Sequence, residues 1–248
     1  MLYLEKDQLR TAQPQPLSAI NWTERFAKLA KTAKDPRLKA FYQAGCVAAD
    51  TPISQAPLVA LDFETTGLNP HKNSIVSIGL LPLSSKRLRC AEAHHWVLKP
   101  LSGLNKESIV IHGITHSDLD QAPDLNALLE EFLFKLQGKL IVVHYSGIER
   151  PFLNAALQAR LGEGIEFPVI DTFELEARMH RQKPLSWWDR FLGRKPVSIR
   201  LADSRQRYHL PRYKPHNALT DALATGELLQ AQLAYHYAET TPVSELWS

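Results

Sequence analysis

The sequence predicts an α/β fold in which a mixed sheet is flanked by helices, with a small helical extension at the N-terminal side. Three observations carry this reading. Three apolar runs of strand length, at 58–63, 75–83 and 90–98, follow one another with no helical pattern between them. From residue 124 onward, helical periodicity alternates with short apolar runs at 140–143 and 168–172. The balance of 44% hydrophobic and 22% charged residues in 248 is that of a globular chain with a sizeable core. Strands first and helix–strand alternation afterwards imply antiparallel neighbours joined to parallel ones.

Each element has a local reason. Residues 1–56 read as an extension. Trp22, Phe26, Leu29 and Ala30 fall at helical spacing, and Leu38, Phe41 and Tyr42 follow Asp35-Pro36, a helix-start pair. Two short amphipathic helices are expected, then a Pro-rich linker at 50–57. The main domain, 57–240, starts with the compact apolar strand 58–63, and 241–248 is left as a short tail. Strands 75–83 and 90–98 are joined by Ser84-Ser85-Lys86. Thr115-His116-Ser117-Asp118 has the form of a capping box. Residues 124–136 present Leu125, Leu128, Leu129, Phe132, Leu133 and Leu136 on one helical face. A helix over 150–161 is expected to end at Gly162, another to start at Asp171, and two more to cover 201–208 and 217–237.

Composition also excludes. No apolar run approaches the roughly 20 residues of a membrane-spanning helix. The charged start is unlike a signal peptide, so a cytoplasmic protein with no membrane partner is expected. Cys46 and Cys90 have no metal-type spacing, and His94-His95 has no Cys or carboxylate cluster to complete a zinc site. The formal net charge of +3 is unevenly placed: residues 178–214 carry +9, which leaves −6 for the rest. Such a block suits a polyanionic partner, although a solvated surface segment has the same composition.

Asp62 and Glu64 close the first strand. Side chains two apart on a strand share a face, and two carboxylates there repel unless a cation lies between them. Glu149 follows the run 140–143 in a first helical turn, where the helix dipole alone would account for it. His216 precedes Asp221 near the start of the last helix.

Taken together, these residues carry a resemblance. Asp62-Phe63-Glu64-Thr65-Thr66-Gly67-Leu68, Ile111-His112-Gly113-Ile114-Thr115 and His216-Asn217-Ala218-Leu219-Thr220-Asp221-Ala222 resemble, in order, motifs of the DEDDh branch of the DEDD 3′–5′ exonucleases. That branch includes the proofreading subunit of the bacterial replicative polymerase. Ser198-Ile199-Arg200-Leu201-Ala202 is similar to the helix that precedes the last motif, and the likeness spans about 57–237. One motif departs: in His144-Tyr145-Ser146-Gly147-Ile148-Glu149, Tyr145 stands for the usual Asn and Glu149 for the usual Asp. Glu keeps the ligand atoms but is one methylene longer, which bears on metal preference.

The resemblance implies a ribonuclease H-like fold and two divalent ions, Mg²⁺ or Mn²⁺, held by Asp62, Glu64, Glu149 and Asp221, with Asp62 bridging. It makes His216 the general base and gives Glu64 a contact with the 3′-hydroxyl. Phe63, Thr65, Thr66, Leu68, Ile111 and His112 would cradle the last nucleotide. The expected reaction releases nucleoside 5′-monophosphates from single-stranded DNA 3′ ends. An exoribonuclease acting on RNA ends, a proofreading subunit and a non-catalytic binding module are the alternatives. Beyond the motifs, Arg190, Arg194, Lys195 and Arg200 are candidates for backbone contact, with Trp187-Trp188 beside them either stacking on bases or pinning a loop. The partner of the N-terminal extension cannot be read from these residues.

Overall fold

The computed structural model describes residues 20–101, 114, 116–181, 188, 191 and 196–248. Five strands form one mixed sheet in the order β3-β2-β1-β4-β5. β1 (Leu58–Thr65) and β2 (Ile75–Leu83) are antiparallel, and β3 (His94–Val97) is antiparallel to β2. β4 (Leu140–Val143) and β5 (Val169–Asp171) continue on the other side of β1, all parallel. β1 is therefore central. Its burial on both faces explains why residues 58–61 are apolar without alternation.

The helices are α1 (Trp22–Thr32), α2 (Pro36–Gln43), α3 (His116–Asp120), α4 (Leu125–Leu136), α5 (Ser146–Leu161), α6 (Thr172–His180), α7 (Leu201–Arg207) and α8 (Ala218–His236). Most starts are capped from within their own sequence. Asn21, Asp35, Asp124, Asp171 and Asn217 each accept an N–H of the following turn. Gly162 ends α5 in the left-handed conformation, as expected from the sequence.

Several boundaries differ from the sequence reading. Residues 90–98 do not form one strand: Cys90–Glu92 is a 3₁₀ turn, and only His94–Val97 pairs with β2. α5 begins four residues before Arg150, because Asp171 holds its first turn from across the sheet. Ser198 and Ile199 precede α7 rather than belonging to it, with the Ser198 hydroxyl donating to Asp203 at 2.5 Å. Thr115, Trp187 and most of 182–195 lie outside the described residues, so the capping box and the insertion are not described.

α1 and α2 pack into the same core as the sheet. Trp22, Phe26, Phe41 and Tyr42 form an edge-on aromatic group within it. Each such fully buried side chain is worth about 1.5–3 kcal/mol. Tyr42 also accepts the Glu166 N–H at 2.9 Å, which ties α2 to the approach to β5. Residues 241–248 are equally embedded: Val243, Leu246 and Trp247 are buried, and Trp247 bridges to Ile170. The stretch 50–57 is fixed to them by the Ile53 N–H, which donates to the Thr241 carbonyl at 2.9 Å. No helix among the described residues is long and apolar enough to cross a membrane.

Candidate active site

β1 carries Asp62 and Glu64 to the end of the central strand, on one face. Next to them the ladder shifts register between Glu64 and Thr65. A β-bulge of this kind ends pairing and re-aims the side chains that follow. Opposite Asp62 in register lies Gly79 of β2. A Cβ on Gly79 would stand 2.1 Å from the Ala218 carbonyl oxygen, so the first turn of α8 rests directly on the β2 backbone. This close approach delivers the start of α8 to β1. Asp221 lies in the first turn of α8, and His216 lies just ahead of its Asn217 cap.

Ligand atoms of Glu64, His216 and Asp221 all fall within 4.8 Å of one another. The His216 N–H donates to Asp221 Oδ2 at 3.0 Å. His216 has left-handed backbone, with φ of 71°. For a residue with a Cβ that conformation costs on the order of 1–2 kcal/mol and needs support from its surroundings. Support comes from Arg205 of α7, which is only 4% exposed. Its guanidinium donates to the carbonyls of Ala224 (2.6 Å) and Pro211 (2.9 Å) and to Glu227 (2.6 Å). It also lies 4.7 Å over the Tyr213 ring, and the Tyr213 hydroxyl donates to Glu227 at 2.9 Å. The loop that bears His216 is thus fastened to α7 and α8 midway along its length.

Asp62 and Glu149 complete an acidic field around this group. Burial pushes the Asp62 carboxyl well above the usual carboxylate range, and Asp221, Glu64 and Glu149 push it further. Burial raises Glu64 to about 7, with Asp221 adding to the shift. Asp221 is raised by burial, against the lowering effect of the His216 amide. Glu149 is 2% exposed, and burial, with Asp171 and Glu64, raises it well above its ordinary value. Four carboxylates that discourage one another's ionisation are the arrangement a cation relieves. The donor set also fits hard divalent ions: it is rich in carboxylate oxygen, and Glu149 Oε2 is buried with no hydrogen-bond partner.

Glu149 is placed by an unforeseen device. Asp171 Oδ1 accepts the N–H groups of Tyr145 (2.8 Å) and Phe173 (3.0 Å), and Oδ2 accepts that of Ser146 (2.7 Å). One carboxylate therefore caps α6 and clamps the entry to α5 together, where Tyr145 is left-handed with φ of 83°. The sequence shows only the cap on α6. Asp171→Ala is expected to cost about 2 kcal/mol or more of stability and to lower turnover about 10–100-fold by releasing Glu149. Thermal unfolding and initial rates test this; wild-type rates in the variant would show that the first turn of α5 holds itself.

The other expected residues are distributed differently. Phe63 is buried in the core, so it offers a ligand only its backbone. The Thr65 hydroxyl donates to the Gly67 carbonyl at 2.8 Å, and the Thr66 hydroxyl accepts the Ser74 N–H at 2.9 Å, shaping the turn after β1. Leu68 is 38% exposed beside that turn. Ile111, His112, Arg190, Arg194 and Lys195 lie outside the described residues. Much of the basic block is committed internally. Arg178 bonds the Glu245 carbonyl, Arg181 that of Val197, and Arg207 pairs with buried Glu176. Arg200 is half-buried, and Arg212 and Lys214 are exposed or nearly so. In the insertion, Trp188 and Phe191 are exposed and meet edge-on at 6.4 Å.

A central strand ending in two acids, a helix start bringing a third beside a histidine, and a fourth acid in the first turn of α5 form one acidic cluster at the end of the sheet. Residues 59–229 match the RNase T exonuclease family, and the chain belongs to that family. Over 179 residues, 72% of this chain, it is 28% identical to a PolC-type DNA polymerase III of Thermotoga petrophila. It is 27% identical over 180 residues, again 72% of the chain, to a DNA polymerase III subunit epsilon-like protein of Rhodobacter capsulatus. The match spans only 12% of the first relative and 24% of the second. Among solved structures, cell-death related nuclease 4 superposes with a TM-score of 0.60 at 17% identity, covering 77% of this chain and 66% of that one. The nuclease domain of 3′hExo, a DEDDh family member bound to rAMP, gives 0.58 at 16% identity, covering 73% and 92%. These likenesses establish the ribonuclease H-like exonuclease fold, whose family generally uses divalent metal ions.

Proposed function

We propose that the protein is a metal-dependent 3′–5′ exonuclease that removes nucleoside 5′-monophosphates from single-stranded DNA ends in the cytoplasm. The observation that carries this reading is the meeting of Glu64, His216 and Asp221 within 4.8 Å, inside the field of Asp62 and Glu149. Asp62, Glu64, Glu149 and Asp221 would hold two Mg²⁺ or Mn²⁺ ions. Bound there, the ions would offset the charge of the scissile phosphate and make a water easier to deprotonate.

His216 takes the proton of the attacking water, for which its loop position beside the acids suits it. The water oxygen bonds to phosphorus, the P–O3′ bond breaks, and the shortened strand leaves with a 3′-hydroxyl that gains its proton from solvent. Glu64 contacts the 3′-hydroxyl of the departing nucleotide. The turn around Thr65, Thr66 and Leu68, with Ile111 and His112, cradles that nucleotide. Arg200, with Arg190, Arg194 and Lys195 of the insertion, contacts the strand's phosphates. We assign the catalytic unit to residues 57–240, preceded by the extension 1–56, with the described residues 20–56 and 241–248 packing against its core. The polymerase III relatives favour DNA over RNA as substrate.

Digestion of a 5′-labelled single-stranded DNA with Mg²⁺, Mn²⁺ or EDTA, beside an Asp221→Ala control, tests the reading. A metal-dependent ladder that shortens from the 3′ end and is lost in the control is expected. Faster degradation of a matched RNA overturns the choice of DNA. Intact DNA and RNA under every condition overturn the enzyme.

A further inference from the structure

His95 stands on the same face of the sheet as the acids. The register sets out two rows across β1, β2 and β3. Asp62, Gly79 and His95 are partners in one row, and Glu64, Ser77 and Val97 in the next. Residues opposite one another in antiparallel strands share a face, so both rows lie on the side where α8 starts. The first turn of α8 fills the space over Gly79. The His95 ring reaches to the second row instead, where its Nε2 lies 2.7 Å from the Ser77 hydroxyl oxygen.

The two ends of this contact differ. His95 is exposed on the edge strand β3, whereas Ser77 is fully buried. The residue directly across from Ser77 on β1 is Glu64, only 6% exposed. Cross-strand Cβ atoms stand about 4.5–5.5 Å apart, within the reach of a glutamate carboxylate for a serine hydroxyl. Glu64 is also the last regular partner before the ladder shifts at Thr65. Strand pairing stops fixing the chain there, and the aim of the carboxylate falls to its side-chain neighbours. A serine hydroxyl has one proton, and an imidazole nitrogen either gives or takes one. When Nε2–H donates to Ser77 Oγ, the Ser77 proton is left for another acceptor. Ser77 has no accessible surface from which to offer it to bulk water. The carboxylate across the ladder is a strong acceptor for it.

We propose that His95 is a positioning residue that acts through Ser77 on Glu64. The imidazole Nε2–H donates to Ser77 Oγ, and the Ser77 hydroxyl donates to one Glu64 carboxylate oxygen, which leaves the other oxygen for a divalent ion. The relay carries the aim of a buried acid out to an exposed ring on the sheet edge. The inference rests on the nuclease reading above and deepens it by naming what orients one of its ligands. Loss of such a supporting hydrogen bond costs about 10–100-fold in metal affinity.

The test measures Mn²⁺ affinity of the substrate-free protein by electron paramagnetic resonance. It uses wild type, His95→Leu, Ser77→Ala, the double variant and His95→Gln. His95→Leu and Ser77→Ala are each expected to weaken binding about tenfold. Both break one relay, so the double variant should bind no more than about twofold worse than the weaker single variant, rather than about a hundredfold worse than wild type. His95→Gln keeps an N–H donor for Ser77 and should stay within about threefold of wild type. Affinity within about twofold of wild type in His95→Leu overturns the relay. Losses that multiply in the double variant overturn it too, as does a loss in His95→Gln equal to that in His95→Leu. The two His95 variants, at an exposed position, decide this even if Ser77→Ala fails to fold. Where wild type binds Mn²⁺ and trims DNA or RNA, these outcomes overturn the relay alone. Wild-type protein that neither binds Mn²⁺ nor cleaves DNA or RNA overturns the nuclease reading, and the relay falls with it.

Discussion

Asp62→Asn is expected to lower nuclease turnover at least about a thousandfold while making the metal-free protein more stable at pH 8. Both effects have one cause. Asp62 is raised first by burial and then by Asp221, Glu64 and Glu149. A carboxyl whose folded pKa lies above its unfolded value stabilises the fold while protonated. That contribution is lost as pH rises through the folded pKa. For Glu64 the window runs from the ordinary glutamate value, 4.5, to about 7. A displacement of that size corresponds to about 3 kcal/mol. Wild-type protein without metal should therefore lose stability between about pH 5 and 8. The asparagine variant, with one buried charge fewer, should lose less, and its Tm should overtake that of wild type across this interval. Mn²⁺ should restore the wild type far more than the variant. Thermal unfolding at pH 5 and pH 8, with EDTA or Mn²⁺, reads all three. A variant that is less stable at pH 8 without metal would show that Asp62 is held by contacts worth more than the repulsion it suffers.

Gly79→Ala is the second large effect, and it removes no functional group. The new Cβ would meet the Ala218 carbonyl oxygen at 2.1 Å, and Ala218 C and Leu219 N at 2.2 and 2.4 Å. All three are backbone atoms of the first turn of α8, so no side-chain rotation relieves the contact. The start of α8 must lift from β2, carrying Asp221 and His216 away from Asp62 and Glu64. Overpacking of this kind costs about 1–3 kcal/mol, which for a chain of this length lowers Tm by about 2–12 °C. Displacement of reacting groups by about 1 Å lowers turnover roughly a hundredfold. The variant should fold, unfold at lower temperature and be nearly inactive at 25 °C. Normal turnover at that temperature would mean that α8 reaches its active position without resting on β2.

Much of the site was legible because its signals are short. Asp62 and Glu64 share a face by strand geometry alone, and the apolar run before them marks a strand covered on both sides. The helix expected over 217–237 already held Asp221, and the structure adds that Asn217 caps α8 and puts Asp221 in its first turn. The motif resemblance supplied Glu149 and His216, which are unremarkable singly. The helix faces of α1, α2 and α4 were readable for the same reason: 3.6-residue periodicity needs only a dozen neighbouring residues to show itself.

The sequence by itself determined the α/β class, the central strand and most helix starts, and through the motif resemblance it proposed the acid–histidine set. Tertiary structure alone decided what holds that set in place. The Asp171 clamp on α5, the bearing of α8 on Gly79 and the Arg205–Glu227–Tyr213 fastening join residues far apart in the chain. It also turned Arg178, Arg181, Arg205 and Arg207 to internal partners, so that a basic block in sequence is only in part a basic surface. The physical reason is the reach of the interactions. Periodicity and capping act within a turn or two of helix, whereas backbone contact and buried charge pairing depend on which elements the fold brings together.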